Sequence, residues 1–187
     1  MQTQGHLILN LGILGRKDHL EWTWPIMLGS LYPDAGLFGF YFWVRLVRGL
    51  PDSQIWRTEY FLESWQTFFS IFNSIPLALI GMAIGLYYKR STVAAFFAAA
   101  ILHCLEDLPL HHDDGHRHFW PLSNFRFESP VSYWDSNHHA VWGAGLELVL
   151  VLTASCWVWR RTRSRWGRGL LALTNALYIA GYAFFFR

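Results

Sequence analysis

Residues 93 to 118 read Val93-Ala-Ala-Phe-Phe-Ala-Ala-Ala-Ile-Leu-His103-Cys104-Leu-Glu106-Asp107-Leu-Pro109-Leu-His111-His112-Asp113-Asp114-Gly115-His116-Arg117-His118. A run of apolar residues passes directly into a dense mixture of imidazoles and carboxylates. Seven of the nine histidines lie between residues 103 and 139, because His138 and His139 follow just before the next apolar run. Groups of this kind are costly beside hydrocarbon unless they face a protein interior, pair with one another or hold a metal. The stretch therefore predicts helices in a membrane with a polar, metal-binding centre at one end.

The rest of the chain supports that setting. Of 187 residues, 53% are hydrophobic and only 15% charged, against roughly 25% charged in an ordinary globular domain. Eleven Trp, eight Tyr and fifteen Phe suit side chains at headgroup level. A net charge of +2 is too small to point to nucleic acid. Cys104 and Cys156 show no CxxC spacing and read as small buried hydrophobes. Asn10, Arg16, Lys17, Asp18, His19 and Glu21 interrupt the first 25 residues, which leaves no hydrophobic core for a cleavable signal peptide.

Five long apolar runs stand out, at residues 26–44, 68–88, 93–110, 140–159 and 169–186. Lengths near 20 match the hydrocarbon thickness. Pro33 interrupts the first run, which reads as a broken helix with Asp34 near its middle. Residues 4–15 are apolar but too short to span, and residues 49–67 form a polar connector with an amphipathic, interfacial helix on which Glu59 and Glu63 make a solvated face. The expected fold is all-α: a polytopic helical membrane protein of four to five spans, a short N-terminal helix and an interfacial helix, in one domain over residues 1–187. Five arginines between 160 and 168, with Lys89 and Arg90, predict a cytoplasmic side there and an extracytoplasmic side for residues 111–137. Arg45, Arg48 and Arg57 fall on that outer side, against the bias. Oligomeric state is left open.

His103 and Asp107 are four apart, so on one helix they project from the same face. Pro109 ends or bends that helix and lets His111 or His112 curl back. Asp34 lies within an apolar run, His6 on the short first helix, and Glu147 eight residues beyond His139 on one helical face. A bundle interior shared by His6, Asp34, His103, Asp107, His111, His112, His139 and Glu147 would satisfy groups that are costly alone. Mixed imidazole and carboxylate ligands suit zinc, manganese or iron better than calcium. Helix-clamping hydrogen bonds and an ion or proton path remain open alternatives. No phosphate-binding Gly-rich loop and no Gly-X-Ser-X-Gly occurs.

The motifs, in order, resemble the membrane-bound metal-dependent hydrolase family of bacterial inner membranes, whose members include a LexA-regulated protein. The matches are His6, Gly29-Ser30-Leu31-Tyr32-Pro33-Asp34, His103 to Asp107 and Pro121-Leu122-Ser123. They cover roughly residues 4 to 127. A second likeness is to zinc-dependent phospholipase C, which also carries His-X-X-X-Asp on a helix. The chain departs from the family at Phe72-Asn73-Ser74, where the family has Thr-His-Ser, and at residues 57–63, where it lacks a His-Arg-Gly. The resemblance implies hydrolysis of an ester or phosphoester of a lipid-like substrate at the bilayer, with zinc or manganese as the divalent ion. In that scheme Asp113 or Asp114 accepts a proton from water, and Arg117 and Arg126 are the cations available to a phosphate. The alternative is a non-catalytic membrane protein with a buried metal or proton site, such as an assembly factor or small transporter.

Overall fold

Apolar runs of this length bury their backbone polar groups by becoming helices, and the computed structural model, which describes residues 1–186, is helical throughout, with no strand among the described residues. The main helices are α1 (Thr3–Leu14), α2 (Thr23–Phe42), a single turn α3 (Asp52–Gln54), α4 (Glu63–Phe72), α5 (Ile75–Tyr87), α6 (Ser91–Asp107), α7 (Ala140–Arg161) and α8 (Arg165–Phe185). Residues 108–139 form a mostly irregular loop over one end of the bundle, held to the end of α6 by Tyr133 N–H on the Leu110 carbonyl and Ser129 N–H on the His111 carbonyl.

Among the described residues, three segments are long and apolar enough to cross a membrane: Glu63–Tyr87, Ser91–Leu110 and Ala140–Arg161. This is fewer than the four to five spans expected. Tyr, Trp, Pro33 and Asp34 dilute the apolar character of α2, while Arg165, Arg168 and Asn175 dilute that of α8. Only 33–39% of each spanning window is buried within the protein. The exposed remainder includes Ile80 and Ile84 on α5 and Leu146 and Val149 on α7, an apolar surface that fits association with a lipid bilayer.

The sequence 68–88 does not make one helix. It divides at Asn73–Ser74, between α4 and α5. Such a break is tolerated at membrane depth only when its polar groups find protein partners. Here the Asn73 amide donates to the carbonyls of Pro33 and Phe69, its own carbonyl accepts from the Cys104 thiol, and the Ser74 hydroxyl caps α5 by accepting from Leu77 N–H. α2, by contrast, passes through Pro33 without breaking and then widens into a π-helical turn at Trp43–Val47.

The connector 49–67 also differs from expectation. Glu59 is buried rather than solvated, gripped by Arg48 at 2.5 and 3.2 Å, whereas Glu63 is exposed. Cys104 is buried, but Cys156 is exposed on α7.

α1 is the element that positions the centre. It packs on α2, α6 and α7, and its Asn10 amide donates both to the Ser30 hydroxyl on α2 and to the Ala99 carbonyl on α6. At its C-terminal end the Arg161 guanidinium donates to the carbonyls of Leu11, Gly12 and Gly15, satisfying acceptors that the helix leaves open. α2 and α6 approach so closely at Gly29 that a Cβ there would lie 2.0 Å from the Phe96 carbonyl oxygen. Close contact through a small residue is how helices pack without a hydrophobic driving force.

Candidate metal centre

α6 ends at Asp107 and continues as a 3-10 turn, Leu108–Leu110, as Pro109 dictates. His103 and Asp107 therefore sit one turn apart at the end of α6, with the His103 Nε2 3.2 Å from Asp107 Oδ2. His6 comes from α1, and its Nε2 lies 3.0 Å from Asp107 Oδ1. The two imidazoles stack with ring centres 3.6 Å apart. Ligand atoms of His6, His103 and Asp107 lie within 4.8 Å of one another, and all three residues are buried. Such a set can hold a metal ion.

The far sides of both rings are fixed. His103 Nδ1 donates to the Ser30 carbonyl at 2.7 Å, and His6 Nδ1 is 2.7 Å from Glu106 Oε2. A carbonyl can only accept, so His103 carries a hydrogen on Nδ1, and in the neutral ring that leaves the lone pair on Nε2. Both Nε2 atoms are buried and make no hydrogen bond. Ligand atoms around a tetrahedral ion with bonds of 2.0–2.1 Å stand about 3.3 Å apart, close to the 3.0 and 3.2 Å found here. An outward nitrogen held by a carboxylate or carbonyl and an inward nitrogen left free is the arrangement that orients a metal-binding histidine.

Asp34 arrives from α2, 69 residues before His103, with Oδ1 3.6 Å from His103 Nε2. Asp34 thus shares the site, as the cost of an isolated buried carboxylate predicts. Its other oxygen accepts from the Thr3 hydroxyl at 2.5 Å. His111 curls back after Pro109, placing Nε2 3.2 Å from Asp107 Oδ1 and Nδ1 3.1 Å from Asp114 Oδ1. The Met1 nitrogen lies 2.7 Å from the same Asp107 oxygen. Burial opposes charge on the His6 ring, but Asp107 and Glu106 outweigh it and raise the pKa to about 9. Burial likewise opposes charge on His111, yet Asp107 and Asp114 raise it. Burial would raise Asp114, but His111 and the Trp134 indole hold it below its ordinary value. The centre is thus rich in carboxylate and draws cations.

Other expected ligands stand elsewhere. His112 turns away, donating from Nδ1 to the Ser129 carbonyl and stacking on His138 at 3.6 Å. His139 is exposed at the start of α7 with a left-handed φ of 59°. That conformation begins the helix one residue later and takes its ring out of register with Glu147. Glu147 points inward but accepts from the Gln2 N–H and the Tyr178 hydroxyl at 3.0 and 2.9 Å. Asn175 on α8 pairs with Ser155 on α7. Arg117 is held by both oxygens of the exposed Glu63, at 2.6 and 2.5 Å, and Arg126 donates to the Gly115 carbonyl.

A cavity of about 630 Å³ adjoins the centre, with Asp34, Asp107 and His111 in its wall alongside Asp113, Asp114 and His116. Burial, reinforced by His118 and His111, pushes His116 down to about 3, so its ring stays neutral. Glu106, Ser30 and Thr3, which orient His6, His103 and Asp34, do not stand out in the sequence as site residues. Glu106 alone carries a signal there, since it is three residues from His103 and so shares a helical face with it. Comparison with protein-family models, curated proteins and solved structures finds no match to this chain.

Proposed function

We propose that the protein is an integral-membrane, metal-dependent hydrolase of a bacterial inner membrane. One divalent ion, zinc or manganese, is held by His6 Nε2, His103 Nε2 and Asp107, with Asp34 beside them, and the substrate is an ester or phosphoester of a lipid-like molecule. The observation that carries this reading is the pair of buried, unbonded Nε2 atoms converging on one carboxylate next to a cavity. Three protein ligands with an open side suit a catalytic rather than a closed structural site. The motif order from His6 through Asp34 and His103 to Asp107 supports kinship with the membrane-bound metal-dependent hydrolases.

An ion at this position would bring the pKa of water toward neutrality and polarise a carbonyl or phosphoryl oxygen. His111 is the residue placed to take up the proton. It lines the cavity, with Asp114 Oδ1 3.1 Å from its Nδ1. Asp34, steadied by Thr3, closes the set from α2. The cavity favours this reading over a helix clamp, which needs no space for a ligand.

α2 runs beside α6 from the Trp22–Ser91 contact to Asp34–His103, which supports α2 crossing the same depth of bilayer as α6. The arginine-rich turn 160–168 and Lys89–Arg90 lie at the other end of these helices, consistent with a cytoplasmic side there and an outward-facing centre. Arg45 and Arg48 on the outer side are matched by Asp52 and Glu59.

Elemental analysis of the detergent-purified protein should find close to one zinc or manganese per chain, removed by chelation together with hydrolysis of ester or phosphoester lipid analogues. Asp107→Asn should abolish both. A chain that stays metal-free after supplementation overturns the proposal. Ion flux in vesicles that depends on Asp107, without hydrolysis, would replace it with a transporter.

A further inference from the structure

The cavity wall carries four aspartates, Asp34, Asp107, Asp113 and Asp114, and no lysine or arginine side chain. The Met1 ammonium, 2.7 Å from Asp107, and a divalent ion would together offset three of these charges, and the exposed Asp113 keeps its own. The two cations that could have served a phosphate are turned elsewhere: Arg117 onto Glu63 and Arg126 onto the Gly115 carbonyl. The remaining wall is strongly aromatic, with Trp56, Tyr60, Phe61, Tyr133 and Trp134. Two of these rings are fixed through Asp114, because the Trp134 indole donates to its carboxylate at 2.9 Å and the Tyr60 hydroxyl to its carbonyl at 3.3 Å. Phe61 and Trp56 stand against Tyr60, with ring centres 5.0 and 6.0 Å away.

Aromatic faces attract cations through their quadrupole, most strongly where water is displaced, and carboxylates nearby add to the attraction. A dianionic phosphate monoester would meet repulsion from the same wall. We infer that the cavity takes a cationic amphiphile, with its ammonium group among the aromatic rings and Asp113 and Asp114, and its ester or phosphodiester linkage against Asp34 and Asp107. This rests on the hydrolase reading for the position of the linkage, while recognition of the cation depends on no metal. It also replaces Arg117 and Arg126 as the specificity-determining groups with Trp134 and Asp113.

Choline and 3,3-dimethyl-1-butanol test it, because they share shape and differ in charge. Binding of each to the detergent-solubilised protein is followed by tryptophan fluorescence, before and after chelation, with metal content measured on the same samples. Choline should bind at least about tenfold more tightly than the neutral isostere in both states, and Trp134→Leu or Asp113→Asn should each weaken it by about tenfold. Asp113 is exposed, so its substitution leaves packing intact even if the tryptophan variant folds poorly. Equal affinity for the two probes, or no saturable choline binding, overturns the inference, and the metal content then decides separately whether the hydrolase reading stands. Discrimination in a chain that holds no metal upholds the cation site and removes the hydrolase.

Discussion

Glu106→Gln separates a metal-orienting carboxylate from a helix clamp. Glu106 Oε2 lies 2.7 Å from His6 Nδ1, and its side chain is 14% exposed. Glutamine keeps an oxygen that can accept from the ring, so the hydrogen bond survives and only the negative charge is lost. A carboxylate behind a metal-binding imidazole raises the basicity of the inner nitrogen, and its removal typically weakens metal affinity 10- to 100-fold, about 1.4–2.7 kcal/mol. An ion present at a hundred times its Kd stabilises the folded chain by about 2.7 kcal/mol, and a thirtyfold weaker site reduces that to about 0.9 kcal/mol. The measurements are metal affinity by competition with a chelator, and thermal unfolding in detergent with and without metal. Expected is a lower affinity and a smaller metal-induced rise in Tm, with some fall in the metal-free Tm as well, because Glu106 helps to hold the proton on His6. If metal affinity is unaltered while metal-free stability falls, Glu106 holds α1 to α6 and does nothing for an ion.

Gly29→Ala places a methyl group 2.0 Å from the Phe96 carbonyl and 3.0 Å from the Ala99 Cβ, so α2 and α6 must part, at a cost of about 1–3 kcal/mol in thermal unfolding. Because Ser30 and Asp34 ride on α2, metal affinity should fall with it, and an unchanged Tm would contradict the close helix contact. For His116, whose pKa is depressed by burial to about 3, the unfolded chain binds the extra proton. Its stabilising contribution is whole above about pH 6.5 and drains as pH falls toward 3, reaching an upper limit of about 2 kcal/mol by pH 5 because part of the ring meets solvent. His116→Gln should therefore lose less stability than the parent between about pH 7.5 and pH 5, and an identical loss would show that the ring is not held neutral.

Local spacing and composition made much of this legible. Apolar runs located the helices, Pro109 the end of α6, and the i, i+4 spacing the His103–Asp107 face. The cost of an isolated carboxylate brought Asp34 to them. What escaped depends on partners far away in the chain. Arg117 looks available to a phosphate in the sequence, but Glu63, 54 residues earlier, holds it. His112 and His111 are adjacent, yet only His111 reaches Asp107, because the loop returns at Ser129 and ties the His112 ring to that residue's carbonyl. Continuity through Pro33 and the break at Asn73 were equally hidden. The Pro33 carbonyl and the Asn73 side chain meet across α2 and α4, and no local propensity reports such a contact.

α1 explains why the centre lies at the edge of the bundle. Its 12 residues rise about 18 Å, well short of a hydrocarbon core of about 30 Å. A helix that cannot cross must have both ends served by protein. Arg161, from the end of α7, takes the carbonyls at one end, and Glu147, from nearer the start of α7, takes the Gln2 N–H at the other. α7 thus sets the height of α1, and Asn10 locks its rotation against both α2 and α6. With height and rotation fixed, His6 faces the end of α6 and no other level. The short helix therefore stops where His103 and Asp107 end theirs, and the space left beyond it, roofed by the loop with Tyr133 and Trp134, is the cavity. That cavity has Asp107 in its wall, beside the His6 and His103 rings that could hold a metal with it.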